Sequence, residues 1–463
     1  MNFTALIMTA LGLLIVWLTL VKPRVALFLF VFSLMAFNDY LGGHPKSIMK
    51  IGDNLFYAAD FFLILLGVGL IRSILRKDLH SRVDKPIFIM MLVSAVVSIV
   101  AILIGLDNGY KSNVIIGDFR RYCYYPWAIF IPALFLKNNR DIRWLERVAF
   151  GAAAFICAIA AYRVITGSSY WPEIHASEYG DFRAMNYHDY LILIFVICIA
   201  IGKVFNTKER PNLIHKVCLV VLPIFVIASN YRMAPLLMIV SSSVVLLILR
   251  RKKIRFKPIL KFVSVSVFLI TAILFTGEIT ANKTYLEVKQ RINQRVIHFD
   301  WSQQESYRVE MWKKLIKEWE TSPLMGVGFG RQFYFQKQTP EGEWHWVEPQ
   351  NFHNTYLELL LKSGILGITI FLCLQLVILS RCWKVFRLCP EERPYVTAGI
   401  AFMIAVLLQT GIQPLLTQPN SIVVSYLIVG SVITLAHNSL NWDGSPIQMQ
   451  QAPDRHSVSM REM

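Results

Sequence analysis

Residues 86–106 read PIFIMMLVSAVVSIVAILIGL, a run without a single charged side chain. Wound as an α-helix at about 1.5 Å per residue, such a run crosses a hydrocarbon core of about 30 Å. Asp84 and Lys85 close it on one side and Asp107 on the other. The same test applied outward along the chain finds thirteen candidate spans, near 4–21, 25–37, 54–72, 86–106, 114–136, 148–166, 188–206, 217–230, 233–249, 259–277, 355–380, 395–413 and 421–437. The second and eighth are short. The expectation is an all-α polytopic membrane protein with about 12–13 transmembrane helices and one long outer loop that contains an amphipathic helix.

Composition agrees. Of 463 residues, 55% are hydrophobic and 17% charged, against about 45–50% and 25% in soluble domains. Mean hydropathy is +0.49. These values exclude a soluble cytoplasmic enzyme, and an aromatic content of 13% excludes a disordered chain. The net charge of +17 fits basic loops retained in the cytoplasm better than nucleic-acid binding, for which no motif is present. Seven cysteines occur without a CxxC pair, so neither a disulfide framework nor a zinc site is expected. The first apolar run lacks a basic leader and reads as a retained helix.

Orientation follows from the basic residues. One set of connections, with the C-terminal tail, holds 28 Lys and Arg, among them the run Arg250, Arg251, Lys252, Lys253; the short loops of the opposite set hold seven. The first set is therefore expected in the cytoplasm. The division that follows is an N-terminal transmembrane bundle (1–277), a periplasmic loop (278–354), C-terminal transmembrane helices (355–437) and a cytoplasmic tail (438–463).

Chemistry-bearing residues gather on the outer side. Arg183 lies in the loop Ser168–Asp189, within Gly180-Asp181-Phe182-Arg183-Ala184-Met185-Asn186. Arg232 occupies the tight turn Asn230-Tyr231-Arg232-Met233 between two spans, either as a snorkelling anchor or as an anion contact. From Gln303 to Trp319, Tyr307, Met311, Trp312, Leu315, Ile316 and Trp319 recur at helical spacing and form one apolar stripe. Arg308 lies at the edge of that stripe, a solvated charge or a group turned back towards the membrane. Ser322-Pro323-Leu324-Met325-Gly326-Val327-Gly328-Phe329-Gly330 stops the helix. Without a strand–helix context its glycines read better as a turn for close backbone packing than as a phosphate loop. Glu348 to Tyr356 then leads into the next span and puts His353 at its membrane entry. A lone histidine is commonly a satisfied polar residue, yet a neutral imidazole beside several arginines suits proton acceptance near phosphate.

Taken together, these residues resemble the O-antigen ligase and polymerase superfamily of bacterial envelope enzymes. The resemblance runs from Ala228-Ser229-Asn230-Tyr231-Arg232 through Ser306-Tyr307-Arg308-Val309-Glu310-Met311-Trp312 and Pro323–Gly328 to His353-Asn354-Thr355-Tyr356-Leu357 and Gly364-Ile365-Leu366-Gly367. It covers about residues 225–380, and Arg183 matches a further arginine of the family. It implies a GT-C-like, inverting and metal-independent glycosyltransferase without a cofactor, in the bacterial inner membrane, with its active site facing the periplasm. The implied donor is a glycan on undecaprenyl diphosphate. The implied acceptor is a sugar hydroxyl, on lipid A core for a ligase (slightly favoured) or on a lipid-linked repeat for a polymerase. Arg183, Arg232 and Arg308 would hold the diphosphate, His353 would take the hydroxyl proton, and Asn354 or Tyr356 would orient the imidazole or the acceptor. A lipid-linked oligosaccharide flippase, with as many spans and membrane arginines, is the alternative, and a scaffold needing neither is the third reading.

Overall fold

The computed structural model describes residues 3–37, 49–51, 54–77, 83–136, 139–166, 184–205, 212–229, 233–249, 302–333, 335–338, 344–347, 352–412 and 418–439. The span read at 259–277, Arg183, the turn Asn230–Arg232 and the tail lie outside them, as do the side chains of Tyr307 and Arg308 on a helix whose backbone is described.

Every other candidate span contains a helix. In chain order the elements are α1 (Phe3–Val21), α2 (Pro23–Ala36), a short hairpin β1–β2 (Met49–Ile51 and Asn54–Phe56), α3 (Phe62–Leu75), α4 (Lys85–Asp107) and α5 (Ser112–Phe119). Next come α6 (Ile131–Phe135), α7 (Asn139–Thr166), α8 (Tyr187–Phe205), α9 (Leu213–Ala228), α10 (Met233–Leu249) and α11 (Ser302–Trp319). A second hairpin, β3–β4 (Phe335–Gln338 and Trp344–Val347), precedes α12 (Thr355–Leu388), α13 (Arg393–Thr410) and α14 (Pro419–Ser439). Six helical segments are long and apolar enough to cross a membrane among the described residues. The two antiparallel hairpins are the only sheet structure described; β2 takes the first three residues of the span read at 54–72, whose helix begins only at Phe62 after a 3-10 turn.

The helices sort by burial. α8 is enclosed on all sides, with every residue from Tyr190 to Ile201 buried, the pattern of a helix at the centre of a bundle. It packs against α7, α9, α10 and α13. α4 instead exposes Ile89, Leu92, Val96, Ile99 and Leu103, an apolar face that water would not tolerate and lipid does. Asp84 caps α4, its Oδ1 accepting from the Ile87 amide at 3.3 Å.

Polar contacts join the helix ends in two groups. Arg24–Asp141 (3.4 Å), Arg381–Asp84 (3.2 Å) and His215–Glu146 (3.2 Å) connect elements at the end holding the basic loops. Arg120–Asp60, Lys362–Asp118 and Asn108–Val327 connect elements at the other. The first group joins segments that carry the basic connections.

Two spans are not continuous α-helices. After α5 the chain makes a π-turn at Arg120–Tyr124 and a 3-10 segment at Tyr125–Phe130 before α6. Pro126 and Pro132 remove backbone donors that a regular helix would need here. α12 is broken at Gly364, where φ is +65°, a conformation that costs an L side chain and not glycine. Breaking a helix strands amides and carbonyls, which is tolerated at membrane depth only where protein re-satisfies them. The loop Pro323–Gly330 does so. The Val327 amide donates to the Leu361 carbonyl (2.8 Å) and that of Gly328 to Lys362 (3.1 Å), while Ile365 and Leu366 donate to the carbonyls of Pro323 (2.9 Å) and Leu324 (3.2 Å). The glycine-rich loop is thus a backbone wedge, as the turn reading expects.

Candidate functional site

His353 stands one residue before the cap of α12, with φ of +54°. Positive φ is uncommon outside glycine and costs about 1–3 kcal/mol unless the surroundings impose it. Both neighbours are pinned. The Phe352 carbonyl accepts the Trp312 indole N–H at 3.1 Å, and the Asn354 side chain accepts the Leu357 amide at 3.1 Å as the N-cap of α12. The buried Phe352 ring meets Phe333 edge-on, 5.6 Å between centroids. α11 supplies the floor: Met311 and Leu315 are buried, Trp312 and Trp319 are half-buried, and Lys313, Lys314 and Lys317 face outward. Ile316, expected on the apolar stripe, is 40% exposed, at the edge of the face that Met311, Trp312, Leu315 and Trp319 turn to their neighbours.

A buried charge cluster lies against the ring of Phe352, the neighbour of His353. Lys362 Nζ donates to Asp118 Oδ1 (2.8 Å) and Glu358 Oε1 (2.6 Å), all three side chains being at most 3% exposed. Arg121 approaches the same oxygens at 3.6 and 3.8 Å and is about a quarter exposed. The Gly330 amide donates to Asp118 Oδ2 at 2.8 Å. Two cations and two anions balance, which is the condition for holding charge away from water. The π-turn sends Arg121 to this cluster and its neighbour Arg120 to Asp60, which also accepts from the Tyr125 hydroxyl (3.1 Å) and the Tyr57 amide (2.7 Å). At the rim, Arg331 pairs with Glu318 at 2.5 Å and lies over the rings of Phe333 and Tyr110.

Among the residues expected to act, the described structure places three. His353 and Asn354 stand at the entry of α12, and the Tyr356 hydroxyl donates to the Leu407 carbonyl of α13 at 2.7 Å. Arg183 and Arg232 lie outside the described residues; Arg308 is on α11, upstream of the two residues that anchor the helix, without a described side chain. Sequence reading gave no role in the site to Asp118, Arg121, Glu358 or Lys362. The usable signal was the Glu358–Lys362 spacing of four within an apolar run, which puts both on one helix face. Among the described residues no group of three or more His, Cys, Asp or Glu stands close enough to hold a metal ion.

The motif around His353 and the wedge beneath it belong to one continuous stretch of chain, and that stretch is what comparison with known families picks out. Residues 217–372 match the model of the O-antigen ligase family. The match covers about a third of the chain and contains Arg232, Arg308, His353, Asn354, Tyr356, the Pro323–Gly330 wedge and the Glu358–Lys362 pair. No curated protein matches the chain. This part of the chain is therefore similar to the O-antigen ligases, enzymes of the ligase and polymerase type in bacterial envelope polysaccharide synthesis.

Proposed function

We propose that the protein is an inverting, metal-independent glycosyltransferase of the inner membrane. It moves a glycan from undecaprenyl diphosphate to a sugar hydroxyl at the periplasmic face. The observation that carries the proposal is the O-antigen ligase match over 217–372, which ends on the helix that His353 introduces. Lipid-linked glycan as the donor follows from that family. Lipid A core as the acceptor is slightly favoured over a second lipid-linked repeat.

In this reading the acceptor oxygen attacks the anomeric carbon from the side opposite the diphosphate. The new carbon–oxygen bond forms as the bond to phosphate breaks, inverting the centre, and the hydroxyl proton passes to the His353 imidazole. The diphosphate leaves with the bonding electrons, and its negative charge grows in the transition state. Arg183, Arg232 and Arg308 oppose that growth, so they favour the transition state over the bound donor. At an effective dielectric near 20, one unit-charge contact at 4 Å is worth about 4 kcal/mol before desolvation, so two or three guanidinium groups replace a divalent ion. Asn354 and Tyr356 hold the entry of α12 through the contacts given above, and through it the imidazole. The test is acceptor-dependent consumption of a synthetic lipid-diphosphate glycan by the purified protein in liposomes. Movement of intact donor between leaflets without consumption would instead support a flippase.

A further inference from the structure

The Asp118–Glu358–Lys362–Arg121 cluster takes no part in the proposed transfer chemistry, yet it touches Phe352, the chain neighbour of the residue that does. A buried ion cluster is no economical way to stabilise a bundle, since apolar residues of similar volume do as well or better. What an apolar residue could not do here is engage the face of Phe352. Lys362 Nζ lies 5.6 Å from the centroid of that ring, within cation–π range. The same ammonium is held from the other side by α5 through Asp118 and by its own helix through Glu358, and Asp118 in turn holds the Gly330 amide. Phe352 is therefore clamped at its carbonyl by Trp312, at its edge by Phe333 and at its face by Lys362. The next residue is His353 in the left-handed region, where a backbone stays only if its neighbours leave it no alternative.

We propose that Lys362 is a positioning residue for His353, acting through the ring of Phe352. The inference rests on His353 being the proton acceptor of the proposed transfer. Asp118 and Glu358 fix the ammonium, the ammonium fixes the ring, and the ring fixes the backbone from which the imidazole projects. Positioning of this kind acts on turnover more than on substrate binding, because an imidazole displaced by about 1 Å costs up to about a hundredfold in rate.

Lys362→Met alone would leave two buried carboxylates facing one arginine, so the informative variant is Lys362→Met with Glu358→Gln, which keeps Asp118 opposite Arg121 and the charge balanced. The full chain in lipid nanodiscs is compared with this double variant and with Lys362→Arg. One readout is kcat and KM for the lipid-diphosphate glycan; the other is the rate at which diethyl pyrocarbonate modifies His353, followed by peptide mass. The double variant is expected to lose about tenfold to a hundredfold in kcat with KM within about twofold, and to expose His353 to faster modification. Lys362→Arg, which keeps a cation under the ring, restores both. Wild-type kcat and an unchanged modification rate in the folded double variant would overturn the proposal, and so would a loss confined to KM. Should the double variant not fold, Phe352→Leu, which leaves the ion cluster intact, is read by the same criteria. A wild-type protein that transfers no glycan would sink the proposed function, while the modification rates would still decide whether Lys362 positions His353.

Discussion

The amide of Val327 donates to the carbonyl of Leu361 at 2.8 Å, so a residue of the outer segment closes a hydrogen bond that α12 gives up at Gly364. The wedge and the broken helix are one structural unit, and its fit is tight. A Cβ placed on Gly328, at φ +92°, would lie 2.4 Å from the Gly105 amide nitrogen on α4. Gly328→Ala is expected to cost at least about 2–3 kcal/mol, from positive φ and backbone overlap together. The measurement is thermal unfolding in detergent or nanodiscs, where the midpoint should fall by several degrees; an unchanged midpoint would remove the wedge from the account of stability.

Asp118 is where the wedge and the charge cluster meet. Asp118→Ala leaves the Gly330 amide without its acceptor and Glu358 alone against two cations, and breaking a buried ion pair from one side costs about 3–5 kcal/mol. The variant should unfold well below wild type or fail to accumulate. Asp60→Ala should do likewise at the neighbouring cluster, where it leaves Arg120 in a pocket walled by Tyr57 and Tyr125.

Much of this architecture is visible in the sequence. Runs such as 86–106 become helices because nothing else satisfies a backbone in lipid, and a glycine-rich stretch after Trp319 with no strand before it packs as a turn. Ser112–Phe135 is apolar enough to pass as one span, and only its prolines hint at the π-turn and 3-10 segments that put Arg120 and Arg121 in separate clusters. The charge cluster is harder to foresee. Glu358 and Lys362 are four apart on one face, but Asp118 is 244 residues from Lys362, and no local pattern connects residues that only tertiary packing brings together. The insertion of Pro323–Gly330 was hidden for the same reason, since Gly364 reads as a small residue in a helix until the strands of backbone beside it are seen.

Tyr110, in the connection between α4 and α5, makes a pH-dependent contribution. Burial raises its phenol above the ordinary value near 10; Arg331 opposes that shift and Glu318 adds to it. The folded form therefore resists ionisation more than the unfolded chain. Any stability linked to the neutral phenol is fully present below pH 10 and declines as pH rises through the folded value. Tyr110→Phe should flatten the alkaline arm of a plot of unfolding midpoint against pH and leave the neutral region nearly unchanged; identical alkaline arms would contradict the assignment.

If arginines carry the diphosphate charge, divalent ions are dispensable. Transfer assayed with excess EDTA should match transfer in its absence, and added magnesium should not raise the rate. Strong inhibition by EDTA that magnesium reverses would contradict the metal-independent reading.

The central claim is that His353 accepts the acceptor proton while Arg232 opposes the leaving diphosphate. The most direct measurement is turnover of a synthetic lipid-diphosphate glycan by wild type, His353→Ala and Arg232→Ala in liposomes, with folding checked by thermal unfolding. The account predicts a loss of at least about a hundredfold in each variant, the scale of a general base and of an electrostatic contact, with unfolding midpoints near wild type. Near-normal turnover in folded His353→Ala would contradict it.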